Sequence, residues 1–263
     1  MMHLTYNLFL AIYLAHLLTD FVFQTHRIVT EKRRGHWRGY LVHGLTHYLA
    51  ILAIVGLADP ARLSSPWFHL IVFSLSVVHL LVDWTKISLT KAGRIPDNTL
   101  VFSADQAAHL LTVAVAAFLV VHPPVQTILL RLTEIRLHQD KILLVLVIYV
   151  FVIFGGGYFI RGLIGPLWKE DFLHTAKQRD DVVNAGLYIG WLERFLVLTA
   201  LFLQSPATVG LILAAKSIAR YPELKSVRFA EYFLIGTLLS ISLAICGAIV
   251  LLKAFQGTVV FGK

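Results

Sequence analysis

Four pairs of ionisable residues recur at one spacing in the first half of the chain. His16 and Asp20 stand in His-Leu-Leu-Thr-Asp, His43 and His47 in His-Gly-Leu-Thr-His, His79 and Asp83 in His-Leu-Leu-Val-Asp, and Asp105 and His109 in Asp-Gln-Ala-Ala-His. On an α-helix, residues i and i+4 share a face one turn apart, a separation that suits chelation of one ion. Five imidazoles and three carboxylates make a nitrogen/oxygen donor set without sulfur, which favours Zn, Mn, Fe or Ni over Cu(I) or an iron–sulfur cluster. The predicted site is therefore a divalent-metal centre, with Zn, Mn or Fe as the cofactor and one or two ions bound. Its expected ligands are His16, Asp20, His43, His47, His79, Asp83, Asp105 and His109. Asp20, Asp83, Asp105 and Lys86 are the expected catalytic groups. Paired divalent ions stabilise the attacking and leaving oxygens of phosphoester hydrolysis, so that reaction class is the leading expectation.

The elements that carry these pairs are too apolar for a soluble domain. Of the 263 residues, 57% are hydrophobic and 14% charged, against about 45–50% and 25% in soluble proteins. Apolar runs near 4–23, 37–57, 67–89, 103–121, 142–160, 185–203, 207–219 and 229–252 end at charged or Pro/Gly punctuation. Backbone polar groups in lipid must be satisfied internally, and no barrel-like alternation recurs, so these runs are read as helices. The expected fold class is all-α: a polytopic transmembrane helical bundle of about eight spans, or seven if the short seventh is re-entrant. The expected organisation is a His/Asp-bearing half at 1–122, an external interfacial connection at 123–141 and a helical half at 142–263, packed as one membrane domain. Cys246 is the only cysteine, which excludes an internal disulfide.

The formal charge of +8 reads as topology rather than as nucleic-acid binding. Sixteen of the 23 Lys and Arg fall in segments after the odd-numbered spans, and six fall on the other side. The positive-inside rule places the richer side in the cytoplasm and both termini outside. The expected location is a bacterial inner membrane. The N-terminus lacks a basic n-region and a cleavage pattern, so the first span is expected to be retained.

This topology puts all four pairs in the cytoplasmic half of the bilayer, where antiparallel helices can gather them. A carboxylate at a helix centre costs roughly 2.5–3.5 kcal/mol on insertion scales. Spans 1–4 offer no evident set of buried Lys or Arg to match three of them. Metal binding is large enough to offset that cost, and three Asp, two divalent ions and one hydroxide balance in charge. Lys32, Arg33, Arg34, Lys86 and Arg94 stand beside the expected opening and could hold a phosphate.

Several stretches carry a resemblance. His-Leu-Leu-Thr-Asp-Phe-Val-Phe-Gln-Thr, His-Leu-Leu-Val-Asp-Trp-Thr-Lys and Phe-Ser-Ala-Asp-Gln-Ala-Ala-His resemble a bacterial inner-membrane family, domain-of-unknown-function family 3307. So do the later Tyr-Ile-Gly-Trp-Leu-Glu-Arg, Ala-Ala-Lys-Ser-Ile-Ala-Arg-Tyr-Pro-Glu-Leu-Lys and Ala-Glu-Tyr-Phe-Leu-Ile-Gly-Thr-Leu-Leu-Ser, which extends the likeness over nearly the whole chain. The resemblance implies a membrane protein and assigns no activity.

In the second half, Glu193, Arg194, Lys216, Arg220 and Glu231 are expected to form a secondary polar shell, with Glu231 paired to Lys216 or Arg220. Gly155–Gly157, Gly186 and Gly190 are expected to let helices approach closely, and Gly155–Gly157 could also kink span 5. The functional expectation is a membrane metal-dependent hydrolase of a phosphate-bearing lipid or amphiphile. Its partners would be the bilayer and that substrate, with no nucleic acid. The alternatives are a metal-ion or proton transporter, a membrane di-iron oxidase and a non-catalytic membrane partner.

Overall fold

The computed structural model describes residues 2–121, 141–165 and 180–255, and every regular element among them is helical. The first helix, α1 (Met2–Leu18), runs into a π-helical turn (Thr19–Phe23). It is followed by α2 (His26–Arg34), α3 (Trp37–Ala58), α4 (Pro66–Lys91) and α5 (Thr99–Val121). The later elements are α6 (Lys141–Val150), a second π turn (Phe151–Gly155), α7 (Gly156–Ile164), α8 (Asp180–Phe202), α9 (Pro206–Ala219) and α10 (Val227–Phe255). All eight apolar runs are helical.

Among the described residues, six segments are long and apolar enough to cross a membrane: Thr5–Phe23, Trp37–Ala58, Pro66–Lys91, Thr99–Val121, Lys141–Ile164 and Val227–Phe255. Helix α9 has 14 residues, about 21 Å of rise against a hydrocarbon core of about 30 Å. The connection expected at 123–141 lies outside the described residues, apart from Lys141.

The chain divides into two compact units, Met1–Val147 and Ile148–Lys263. In the first, α1 packs on α3 and α5, and α4 packs on the same two helices, which closes a ring of four. Leu8, Ala11, Ile12 and Ala15 of α1 meet Ile51 and Val55 of α3, Phe68, Val72 and Leu75 of α4, and Val113 and Ala117 of α5 in a buried apolar core. That core precedes the ionisable pair in α1 and α4 and follows it in α3 and α5. Because successive helices alternate in direction, the four pairs are delivered to one end of the ring. In the second unit, α8 packs on α9 and α10, and α7 packs on α10.

The segment after the first span was expected to be a basic loop, and it folds as a helix. Thr25 caps α2 by accepting from the Ile28 N–H, and Gly35 ends it with a left-handed φ of 83°. Two glycines then seat neighbouring helices. A Cβ at Gly44 would lie 2.7 Å from Leu80 Cδ1, so its absence lets α3 approach α4 beside His43 and His79. A Cβ at Gly39 would lie 2.9 Å from the Lys32 backbone nitrogen, which cannot step aside as a flexible side chain can. Gly39→Ala should lower stability by about 1–3 kcal/mol, the range for overpacking, and depress the melting temperature in detergent. Gly186→Ala, where a Cβ meets nothing within 4 Å, should not lower it and should raise it slightly, since Ala favours a helix interior over Gly.

Candidate functional site

The four pairs meet at the end of the ring. His16, His43, His47, His79 and His109 are each at most 1% exposed, and Asp83 and Asp105 are also buried. Asp20 retains 10% side-chain exposure. His79 lies at the centre, with ring centroids 4.2 Å from His109, 4.4 Å from His47, 5.0 Å from His43 and 5.3 Å from His16. All eight residues named from the sequence are thus in one cluster.

His79 faces ligand atoms with both ring nitrogens. Its Nε2 is 2.9 Å from His43 Nε2 and 3.3 Å from Asp20 Oδ1, and its Nδ1 is 3.1 Å from His109 Nδ1. Asp20 Oδ1 is also 3.3 Å from His43 Nε2. At the far side, His109 Nε2 is 3.6 Å from Asp83 Oδ1 and from Asp105 Oδ1. Three sets therefore have donor atoms close enough to share an ion: Asp20, His43 and His79; His16, His79 and His109; and Asp83, Asp105 and His109.

The first set has the dimensions of a coordination face. Ligands about 2.1 Å from a common ion stand about 3.0 Å apart in octahedral and about 3.4 Å in tetrahedral geometry. The triangle of His43 Nε2, His79 Nε2 and Asp20 Oδ1 has edges of 2.9, 3.3 and 3.3 Å. These edges match the spacing of ligands that share one divalent ion, which Asp20, His43 and His79 could hold.

Two lysines enter this cluster: Lys86 of α4, and Lys32 of α2, which lies outside the four spans and was expected at their opening. Lys32 of α2 is 4% exposed, and its Nζ donates to Asp83 Oδ2 at 2.5 Å. Lys86 Nζ donates to Asp105 Oδ2 at 2.6 Å. Each ammonium takes Oδ2 and leaves Oδ1 on the His109 side. No lysine or arginine among the described residues forms an ion pair with Asp20. The other cations expected to flank the opening do not enter the cluster: Arg33 pairs at the surface with Asp97 at 3.4 Å, and Arg34 and Arg94 are exposed.

The protein satisfies only part of the cluster. Ser76 Oγ donates to the Val72 carbonyl at 3.0 Å and is 3.3 Å from His47 Nδ1, so that nitrogen donates to the serine and Nε2 keeps its lone pair. His47 Nε2, both nitrogens of His16, Asp20 Oδ1, Asp105 Oδ1 and His109 Nε2 have no protein hydrogen-bond partner. Each such buried group costs about 1–3 kcal/mol. The donor set fits a divalent ion, because lone pairs and carboxylate oxygens are what remains unpaired.

Two contributors, Gln24 and Ser76, were missed from sequence, and Lys32 was expected at the opening rather than inside the cluster. Lys32 reads as one of a basic run, Gln24 as a polar residue at a span end, and Ser76 as a helix serine. Gln24 Nε2 lies 3.3 Å from His43 Nε2. The π turn was also missed: α1 widens at Thr19, whose hydroxyl bonds the Ala15 carbonyl at 2.8 Å. Asp20 therefore sits on a π turn, and its Oδ2 still comes within 3.9 Å of His16 Nδ1.

Residues 8–135 match the model of a family described as protein of unknown function (DUF3307). The match covers just under half of the chain. It spans α1 to α5 and contains all eight cluster residues. The resemblance over nearly the whole chain is narrower in this match, which leaves out the C-terminal motifs. No curated protein and no solved structure matches the chain.

The second unit has its own buried polar group. Lys216 Nζ donates to Glu193 Oε2 and, at 2.9 Å, to Thr237 Oγ1. The expected pairing of Glu231 is incorrect: Glu231 is exposed, Lys216 pairs with Glu193, and Arg220 pairs with Glu223 at 3.4 Å. Helix α9 runs beside α8, so Lys216 meets the carboxylate buried there. Arg194 donates to the Ile153 carbonyl from Nε at 3.0 Å and from Nη2 at 2.7 Å, within the second π turn. A Cβ at Gly157 would lie 3.0 Å from Arg194 Nη2, and one at Gly156 2.2 Å from Leu243 Cδ2. These two glycines thus admit a guanidinium and a neighbouring helix. Gly186 has nothing near it and allows no close approach.

Removing Lys32 would strand Asp83 as a buried unpaired charge, a loss of about 3–5 kcal/mol. Lys32→Met should therefore lower the melting temperature sharply, and Lys32→Met with Asp83→Asn should recover much of it. Equal losses in the single and double variants would show that the ion pair is not the cause.

Proposed function

We propose that this cluster is an intramembrane divalent-metal centre and that the protein is a metal-dependent hydrolase of a phosphate-bearing lipid or similar amphiphile. The observation that carries the reading is the set Asp20, His43 and His79. Two imidazoles and a carboxylate converge on one point and leave further coordination positions open, as catalytic rather than structural metal sites do.

Charge supports one resident ion. Imidazoles that ligate a metal are neutral, and in that state three carboxylates less the ammoniums of Lys32 and Lys86 leave one negative charge, on Asp20. One divalent ion reverses it to a single positive charge, which suits an anionic substrate. Two ions would leave three positive charges in a buried space, so the charge balance sketched from sequence for two ions does not survive the two lysines. A divalent ion there supplies Lewis acidity and an activated water.

The chain's own groups would do the rest. Asp20, His43 and His79 hold the ion. Gln24 steadies His43, and Ser76 orients His47 with its free nitrogen toward the centre. His16 and His47 are placed to accept or return a proton. Lys32 and Lys86 restrain Asp83 and Asp105 and bring positive charge to the edge where a phosphate would enter. The basic end of the ring, with Arg27, Lys32, Arg33, Arg34, Lys91 and Arg94, would face the cytoplasm of a bacterial inner membrane.

Metal analysis of the purified protein after equilibration with Zn, Mn or Fe should find about one tightly held ion per chain, the stoichiometry that this charge balance favours. Asp20→Asn and His79→Ala should abolish retention, and Glu193→Gln in the second unit should not change it. Loaded protein should release phosphate or a phosphorylated headgroup from phospholipids, and a chelator should stop it. Absence of bound metal after reconstitution would defeat the metal centre. Tight binding without turnover of any phosphate-bearing amphiphile would defeat the hydrolase.

A further inference from the structure

A cavity of about 300 Å³ adjoins the cluster, lined by Lys32, Trp37, Tyr40, Trp84, Ser88 and Lys91 among others. This is at the lower end of the size range of small-molecule sites. Its walls come from α2, α3 and the last turns of α4, at the basic end of the ring. Lys32 belongs to both spaces: it lines the cavity, and its ammonium sits on Asp83 of the metal cluster. An ammonium carries three donors, and Asp83 Oδ2 takes one of them. Lys91 is exposed and adds a second cation, and Ser88 adds a hydroxyl.

The aromatic walls point to a ligand that arrives from lipid. Trp37 is 66% and Trp84 55% exposed, and indoles with this exposure favour the membrane–water interface. From each of them an exposed apolar stripe continues along its helix at helical spacing. Leu41 and Leu45 follow Trp37 on α3, and Leu81 and Val77 precede Trp84 on α4. A free phosphate has no use for such stripes, whereas acyl chains lie along them.

We propose that this cavity binds the phosphate headgroup of an anionic phospholipid, with Lys32 and Lys91 as its cationic contacts and Trp37 and Trp84 as its walls. The proposal deepens the reading of the cluster as a hydrolytic centre by naming the substrate class and its entry point. Lys32 would then be a positioning residue, tying the bound headgroup to the carboxylate side of the centre.

The test is native mass spectrometry of the full chain after exchange into mixed phosphatidylglycerol and phosphatidylcholine vesicles. Retained phosphatidylglycerol should be enriched about five-fold over the bulk mixture, the preference that about one surface cation confers. Lys91→Gln combined with Trp84→Ala should bring the retained lipid to the bulk ratio. Arg34→Gln, on the same basic helix but outside the cavity, should keep the enrichment. Inorganic phosphate at millimolar concentration should leave the bound lipid in place. Bulk-ratio lipid on the wild type, full enrichment on the double variant, loss of enrichment in Arg34→Gln or displacement by phosphate alone would each overturn the proposal. Metal measured on the same samples separates the two readings. Metal retained without lipid preference refutes the cavity alone, and lipid preference without metal refutes the centre alone.

Discussion

Three carboxylates and five imidazoles share a space from which packed helices exclude water, and the way their charge is compensated organises the whole first unit. Asp83 and Asp105 each receive an ammonium at hydrogen-bond distance. Asp20 receives two imidazole nitrogens at 3.3 Å instead. An unpaired buried carboxylate is expensive, and no lysine or arginine among the described residues pairs with this one. A cation between Asp20, His43 and His79 would resolve that imbalance and replace the hydrogen bond that the two imidazoles make at 2.9 Å.

The surrounding fold serves this arrangement. Alternating helices bring four pairs to one level, an apolar layer from Leu8 to Val113 fills the other half of the ring, and Gly44 draws α3 against α4. Helix α2 folds back along α3 and inserts Lys32, which is possible because Gly39 leaves room for its backbone. The second unit pairs its buried carboxylate with an ammonium and its buried guanidinium with a carbonyl. Lys216 meets Glu193, and Arg194 meets a carbonyl of a π turn. Both units place a π turn at a charged group: one carries Asp20, and the other carries the Ile153 carbonyl that accepts from Arg194. Such turns change the facing of a side chain or release a carbonyl, and they recur at functional positions.

Much of this was legible in the sequence. Apolar runs bounded by charges located eight helices, because burial in lipid leaves the backbone no other regular form. The i, i+4 pairs named all eight cluster residues, because spacing fixes helix face and alternating direction fixes level. Lys32 was hidden, since nothing local distinguishes it from Arg33 and Arg34. Only the fold-back of α2 turns it inward and leaves its neighbours exposed. The pairing of Glu193 with Lys216 was hidden for a related reason: it depends on which helices are neighbours, and periodicity does not encode that. The π turn at Asp20 left no periodic trace because it spans only five residues.

The claim that four helices cage a cation is tested most directly by X-ray absorption on the Zn-loaded full-length protein. The account predicts a first shell of nitrogen and oxygen at about 2.0–2.2 Å and outer-shell scattering from about two imidazoles. Both imidazole features should fall in His43→Ala. A loaded protein whose spectrum shows only oxygen ligands, or one unchanged by that substitution, would place the ion elsewhere and contradict the account.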